Sequence, residues 1–186
     1  GYRAGGWCIQ PFVDFKPLFK KFGITHEFSV LSGQINKSNA QYFDFRKAPV
    51  DKIYKFTNDV VVPVENGEFI QYPISSIGVS KNDLVNRILL KVLWKMNVRS
   101  IGDGRGVVPT INSENIDQPS ENIEMVAIEL LILTRLSSYL KLFKKSDYVH
   151  FISHPKMLSY HNIRCFKIFL KKVSKRYNIE SDFKKM

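Results

Sequence analysis

Along this chain, apolar residues at helical spacing alternate with short apolar runs that stop at glycine or proline. A chain with that alternation must lay helices against a sheet, which makes the expected class α/β. Pro11 opens a helix in which Phe12, Phe15, Leu18, Phe19 and Phe22 recur on one face up to a stop at Gly23. Residues 27–31 form a strand-like run ending at Ser32-Gly33, and residues 34–58 are loop-like but aromatic, around Tyr42-Phe43-Asp44-Phe45-Arg46. Two strands, 60–64 and 68–74, flank Glu65-Asn66-Gly67, a hairpin signal. An amphipathic helix is expected over 83–96, a loop over 102–119, and then a long helix capped by Ser120, with Ile123, Ala127, Leu130, Leu131, Leu133 and Leu136 as its buried stripe. Residues 148–153 form a strand that Pro155 forbids from continuing, and 163–177 a last helix with a basic outer face. With no internal repeat, the whole of 1–186 is expected to be a single α/β domain.

Composition narrows the function classes. Of the 186 residues, 44% are hydrophobic and 13% aromatic, which supports a packed core. No stretch approaches the roughly 18 unbroken apolar residues of a membrane span, since Glu129 interrupts the run 126–133. Two cysteines, Cys8 and Cys165, build neither a disulfide framework nor a four-cysteine zinc module. The net charge of +11 invites a polyanion partner, but much of it lies in pairs such as Lys20-Lys21, Lys144-Lys145 and Lys171-Lys172 at expected helix ends, where cations favour the macrodipole without any ligand. A solvated surface is therefore the leading reading, and no specific nucleic-acid motif accompanies the charge. An acidic glycan or a phosphate-bearing lipid carrier would also suit it. The glycine-rich Gly102-Asp103-Gly104-Arg105-Gly106 lacks the lysine-serine/threonine ending of a phosphate loop and reads as a turn.

In α/β folds the chemistry sits at the C-terminal ends of strands. That rule selects the residues after the opening strand, Ser32-Gly33, and His154-Pro155. His150 and His154 lie on a strand-like segment, where four residues span about 13 Å. Two ligands of one zinc must each stand about 2 Å from the ion, so the pair is not a metal site. His154, fixed by Pro155, is placed as a general acid, because imidazole titrates near neutral pH; the plainer reading is a hydrogen-bonded structural histidine. Arg3 stands in an apolar, glycine-rich setting that calls for a carboxylate or anion partner, and Trp7 offers an aromatic wall for a sugar ring. Asp44 and Arg46 pair either with site residues or with each other. Cys8 has no activating arrangement.

Tyr2-Arg3-Ala4-Gly5-Gly6-Trp7 and Phe151-Ile152-Ser153-His154-Pro155 together resemble the polysaccharide deacetylases, the family-4 carbohydrate esterases of the NodB-homology fold. Phe28 to Gly33 and Tyr42 to Arg46 are similar in phrasing to deacetylase-like proteins of bacterial surface-polysaccharide clusters. The resemblance implies the C-terminal part of a distorted (β/α)7 barrel whose N-terminal strands lie upstream of Gly1. It also implies removal of acetyl groups from a glycan or glycolipid precursor. Arg3 would orient the family's base, His154 would protonate the leaving group, Ile152 would help form the acetyl pocket, and Trp7 would wall the groove. The cofactor implied is a divalent metal, zinc in most members, bound by motifs that precede the arginine motif and so fall outside this chain. The family's fourth motif expects a carboxylate near Ser29-Val30, where none stands, and Asp44 is the substitute. His150 replaces the first leucine of the fifth motif.

On this reading the 186 residues alone are expected to be inactive, with an open sheet edge that favours aggregation or dimerisation. The alternatives are a non-catalytic glycan-binding scaffold, which would use the same aromatics, and a basic nucleic-acid module, which would show steep salt dependence.

Overall fold

The computed structural model describes residues 1–38, 41–78, 100–102, 123–146 and 148–177. The helix expected over 83–96, the loop over 103–119 and the cap at Ser120 lie outside them.

The first helix obeys its local signals. Helix α1 spans Phe12–Lys21, Pro11 is its extended N-cap, and the backbone turns left-handed at Gly23 (φ 62°). That turn lets the Ile24 N–H reach the Phe19 carbonyl at 2.8 Å, closing the helix as a glycine stop does. The buried side chains of α1 are Phe12 and Phe19, which lie against a small sheet.

That sheet has the order β1 (His26–Glu27), β5 (Phe69–Gln71), β4 (Tyr54–Phe56), with β1 and β5 parallel and β4 antiparallel to β5. Tyr2 extends it on the far side of β1 through a parallel bridge to Glu27. Between β1 and β4 in the chain lies an antiparallel hairpin, β2 (Ile35–Ser38) with β3 (Gln41–Asp44). β6 (Ser76–Gly78) pairs antiparallel with β7 (Ile123–Met125), and Ala127 bridges Ile152 in parallel. The backbone joins these pieces: Ile74 donates to Val30 at 2.7 Å, Val126 to Ser75 at 2.7 Å and Ile152 to Val126 at 3.1 Å. The class is mixed α/β, as expected. The described residues form three small sheets and close no barrel.

Three segments fold differently from their local text. Within 34–58 there are three strands, announced by the alternation of Phe43 with Phe45 and of Tyr54 with Phe56, all buried. The antiparallel partner of β5 is β4 and not 60–64. The Asn66-Gly67 signal therefore marks a close approach: a Cβ built on Gly67 would stand 2.5 Å from the backbone nitrogen of Phe56. The long helix expected after Ser120 is instead strand β7, two 3-10 turns (Ile128–Leu130 and Leu133–Arg135) and helix α2, Leu136–Lys145. Val126, Ala127 and Leu131 are buried completely, whereas Ile123 and Leu133 are exposed. Such a run looks the same to a helical and to a strand pattern, and the neighbouring β6 and Ile152 decide for pairing.

Helix α3, Tyr160–Val173, begins at a capping box in which Ser159 Oγ accepts from the Asn162 N–H and Asn162 Oδ1 accepts from the Ser159 N–H. Facing α2, it makes a second core from Leu136, Tyr139, Leu142, Cys165, Phe169 and Val173. Arg135 is fully buried beside this core, paired with Glu124 at 2.7 Å and lying over the Tyr139 ring. Among the described residues the extended 148–153 segment pairs through the Ile152 bridge and a hydrogen bond from the Ser75 N–H to the His150 carbonyl, and a 3-10 turn at Pro155–Met157 ends it.

Candidate functional site

The parallel bridge between Ala127 and Ile152 sets the register of the residues just downstream. Two residues on from each partner stand Glu129, in the 3-10 turn Ile128–Leu130, and His154, just before the turn Pro155–Met157, so the bridge brings the two turns side by side. They meet. His154 Nδ1 lies 2.5 Å from Glu129 Oε1, and the His154 backbone N–H donates to Oε2 at 3.3 Å, so one residue engages both carboxylate oxygens. The Glu129 side chain is 3% exposed and the His154 side chain 35%. A buried carboxylate needs a charged or hydrogen-bonding partner, and the imidazole supplies it. With Glu129 accepting, the ring carries its proton on Nδ1. Nε2 has no partner among the described residues and is the end left to act.

Glu129 was legible only as the break in the apolar run 126–133. An acid inside a run whose neighbours are buried is itself a signal, because a carboxylate is rarely buried without a partner or a task.

The other candidates lie elsewhere. Arg3 follows the Tyr2 bridge and is exposed, and no carboxylate pairs with it among the described residues. Its charge is felt by His150. The turn after Arg3 is braced by buried polar groups: Ala4 N–H donates to Ser29 Oγ at 2.7 Å, and Ser29 N–H donates to both oxygens of Glu27 at 2.9 and 2.8 Å. Burial pushes the Glu27 carboxyl above its usual range, against the pull of those hydrogen bonds. Trp7 closes the 3-10 turn Gly5–Trp7 with φ 60° and sets its ring edge-on to Phe43 at 5.6 Å. Asp44, at the end of β3, takes the Arg46 guanidinium at 2.9 and 2.7 Å, and this pairing holds its carboxyl below the usual range. Of the two alternatives for Asp44 and Arg46, the structure has them pair with each other. Ile152 is buried in the first core. No hydrogen bond or ion pair joins Arg3, Trp7 or Asp44 to His154 among the described residues. Cys8 and Cys165 are both free thiols.

His150 sits apart from His154, as an extended chain requires. Its N–H donates to Ser75 Oγ at 3.0 Å, and its ring lies edge-on to Phe28 at 5.8 Å and near Tyr148 at 6.2 Å. Phe28 in turn stacks on Tyr72, and Tyr72 on His26, at 5.1 and 5.6 Å. Burial first, and then the Arg3 charge, lower the His150 pKa, so the folded state holds this imidazole neutral. The fold thus binds fewer protons here than the unfolded chain. The His150 contribution is fully present above the ordinary histidine pKa of about 6.5 and is lost as pH falls through the lower folded value. Glu27 and Asp51, whose carboxyls burial raises, act with the opposite sign. The expected result is therefore a difference: from pH 7 down to about 5, wild type should lose stability relative to His150→Gln, measured by urea unfolding at each pH. Parallel curves for the two proteins would show that His150 is not held neutral.

Among the described residues, no group of three or more His, Cys, Asp or Glu side chains is arranged to hold a metal ion. Compared with protein-family models, with curated proteins and with solved structures, the chain finds no match.

Proposed function

We propose that this chain is part of a polysaccharide deacetylase-like hydrolase that removes acetyl groups from a surface glycan or glycolipid precursor, with His154 as its proton donor. The observation that carries this reading is the half-exposed His154 imidazole held through Nδ1 by the buried Glu129 carboxylate. A carboxylate in that position fixes the ring and stabilises the imidazolium, which then gives its Nε2 proton to the leaving amine nitrogen or alcohol oxygen as the bond to the acetyl carbon breaks. Asp44 is paired with Arg46, and in this reading the carboxylate that serves the acid is Glu129. The resemblance around Tyr2–Trp7 and Phe151–Pro155 supplies the substrate class, with Trp7 as a wall of the groove and Arg3 facing the base.

The described residues do not offer the ligands of a metal ion. In this reading the metal and the base belong to residues outside this chain, and the strands described here are the C-terminal strands of a distorted barrel. A scaffold reading is favoured by one observation, the absence of a carboxylate beside Arg3 among the described residues. The test is acetate release from an N-acetylglucosamine oligomer by a metal-supplemented protein carrying this chain. Release that is abolished by a chelator and restored by zinc supports the hydrolase. Oligomer binding without release, across N- and O-acetylated glycans, supports the scaffold and overturns the hydrolase.

A further inference from the structure

The charge of this protein is concentrated in one place. Residues 136–177 contain ten Lys and Arg and a single acid, Asp147, a net +9 out of the +11 of the whole chain. This segment contains α2 and α3. A groove of about 400 Å³ opens between the two helices, along α2 from Ser137 to Lys144 and at the C-terminal end of α3. Its floor is apolar, formed by Leu140, Phe143, Val173 and the ring of Tyr177. Tyr177 is fixed there: its hydroxyl donates to the Phe143 carbonyl at 3.0 Å and its ring lies 5.6 Å from that of Phe143. The rim is cationic, with Lys141, Lys144, Lys172, Lys175 and Arg176, all exposed, and no carboxylate among the lining residues. None of the five takes part in an ion pair among the described residues.

Lysines in a helix's last turn are ordinary, because the dipole favours them. The dipole does not account for an apolar slot with a half-exposed tyrosine between the two helices, for Lys141 in mid-helix, or for cations beyond the helix at Lys175 and Arg176. An inorganic polyphosphate would neutralise the rim and leave the floor wet. A single-stranded nucleic acid stacks successive bases on several exposed rings, where this floor offers one, Tyr177. An amphiphile covers both, with its phosphate among the cations and its apolar part against Phe143, Val173 and Tyr177. We propose that the α2–α3 end of the molecule is a docking face for an anionic membrane surface, on which the protein lies without spanning it. No helix among the described residues is long and apolar enough to cross a bilayer. This face is built from α2, α3 and the turn after them, so it is independent of the hydrolase reading.

The test is flotation of the full chain with phosphatidylcholine vesicles that contain phosphatidylglycerol and with vesicles that lack it. The expected result is binding to the anionic vesicles only, weakened by salt. Lys141→Gln/Lys144→Gln/Lys172→Gln, confirmed as folded by circular dichroism, should lose about a hundredfold in affinity, near one decade or less for each cation removed. Tyr177→Ser should weaken binding at unchanged charge, which separates a seated amphiphile from general attraction. Equal binding to neutral vesicles, wild-type affinity in the triple variant, or tighter binding to a single-stranded oligonucleotide than to the anionic vesicles would each overturn the proposal.

Discussion

On the proposed hydrolase reading, replacing His154 by alanine should lower acetate release by a metal-supplemented protein carrying this chain by about 10²–10⁴-fold while leaving its metal content unchanged. The imidazole is 35% exposed, but its removal leaves the buried Glu129 carboxylate only the His154 backbone N–H among the described residues. Folding is therefore verified by circular dichroism, and His154→Gln, which keeps a donor for Glu129, is measured beside it. The measurement is single-turnover acetate release beside metal analysis. Zinc lost with the side chain would make His154 a ligand and remove it as the acid, and unchanged turnover would remove it from the site. In the proposed mechanism Glu129 acts through His154, so the two substitutions should not add. Glu129→Gln alone should be damaging, because an amide cannot stabilise an imidazolium. The double variant should be no slower than His154→Ala. A double variant slowed by the product of the two effects would show that Glu129 acts elsewhere.

Phe12→Ala should destabilise the fold by about 3–5 kcal/mol, the range for truncating a large side chain in a close-packed core. Phe12 is 1% exposed and is the centre of an edge-to-face cluster, 5.0 Å from Phe19, 4.8 Å from Phe56 and 5.1 Å from Phe69. It is where α1 docks on β4 and β5, so its loss leaves a void bounded by three rigid rings that cannot all move inward. Phe12→Leu keeps most of the volume and should cost clearly less. Denaturant unfolding monitored by far-ultraviolet circular dichroism measures both. A loss below about 1 kcal/mol for the alanine variant would mean that the cluster collapses freely, and that α1 is not held to the sheet as described.

Local chemistry was readable from the chain. Pro11 and Gly23 bound α1 because each restricts or frees φ at its own position, whatever lies around it. Pro155 stops the 148–153 segment for the same reason, and the extended backbone before it keeps His150 and His154 in different places. The last helix was visible from its apolar stripe, although its start lies three residues earlier, just after the Ser159 cap.

What only the tertiary structure decided was partnership. The strand opposite β5, the break-up of the expected helix over 123–135 and the meeting of Glu129 with His154 all depend on segments far apart in sequence. Glu129 and His154 are 25 residues apart, and β5 lies beside β1 across more than forty. An apolar run such as 126–132 satisfies a helix and a buried strand equally well, because both hide every side chain, so its own residues cannot choose. The choice is made by the Ile152 segment, which offers backbone groups to Val126 and Ile128 and thereby fixes the register that carries Glu129 to His154.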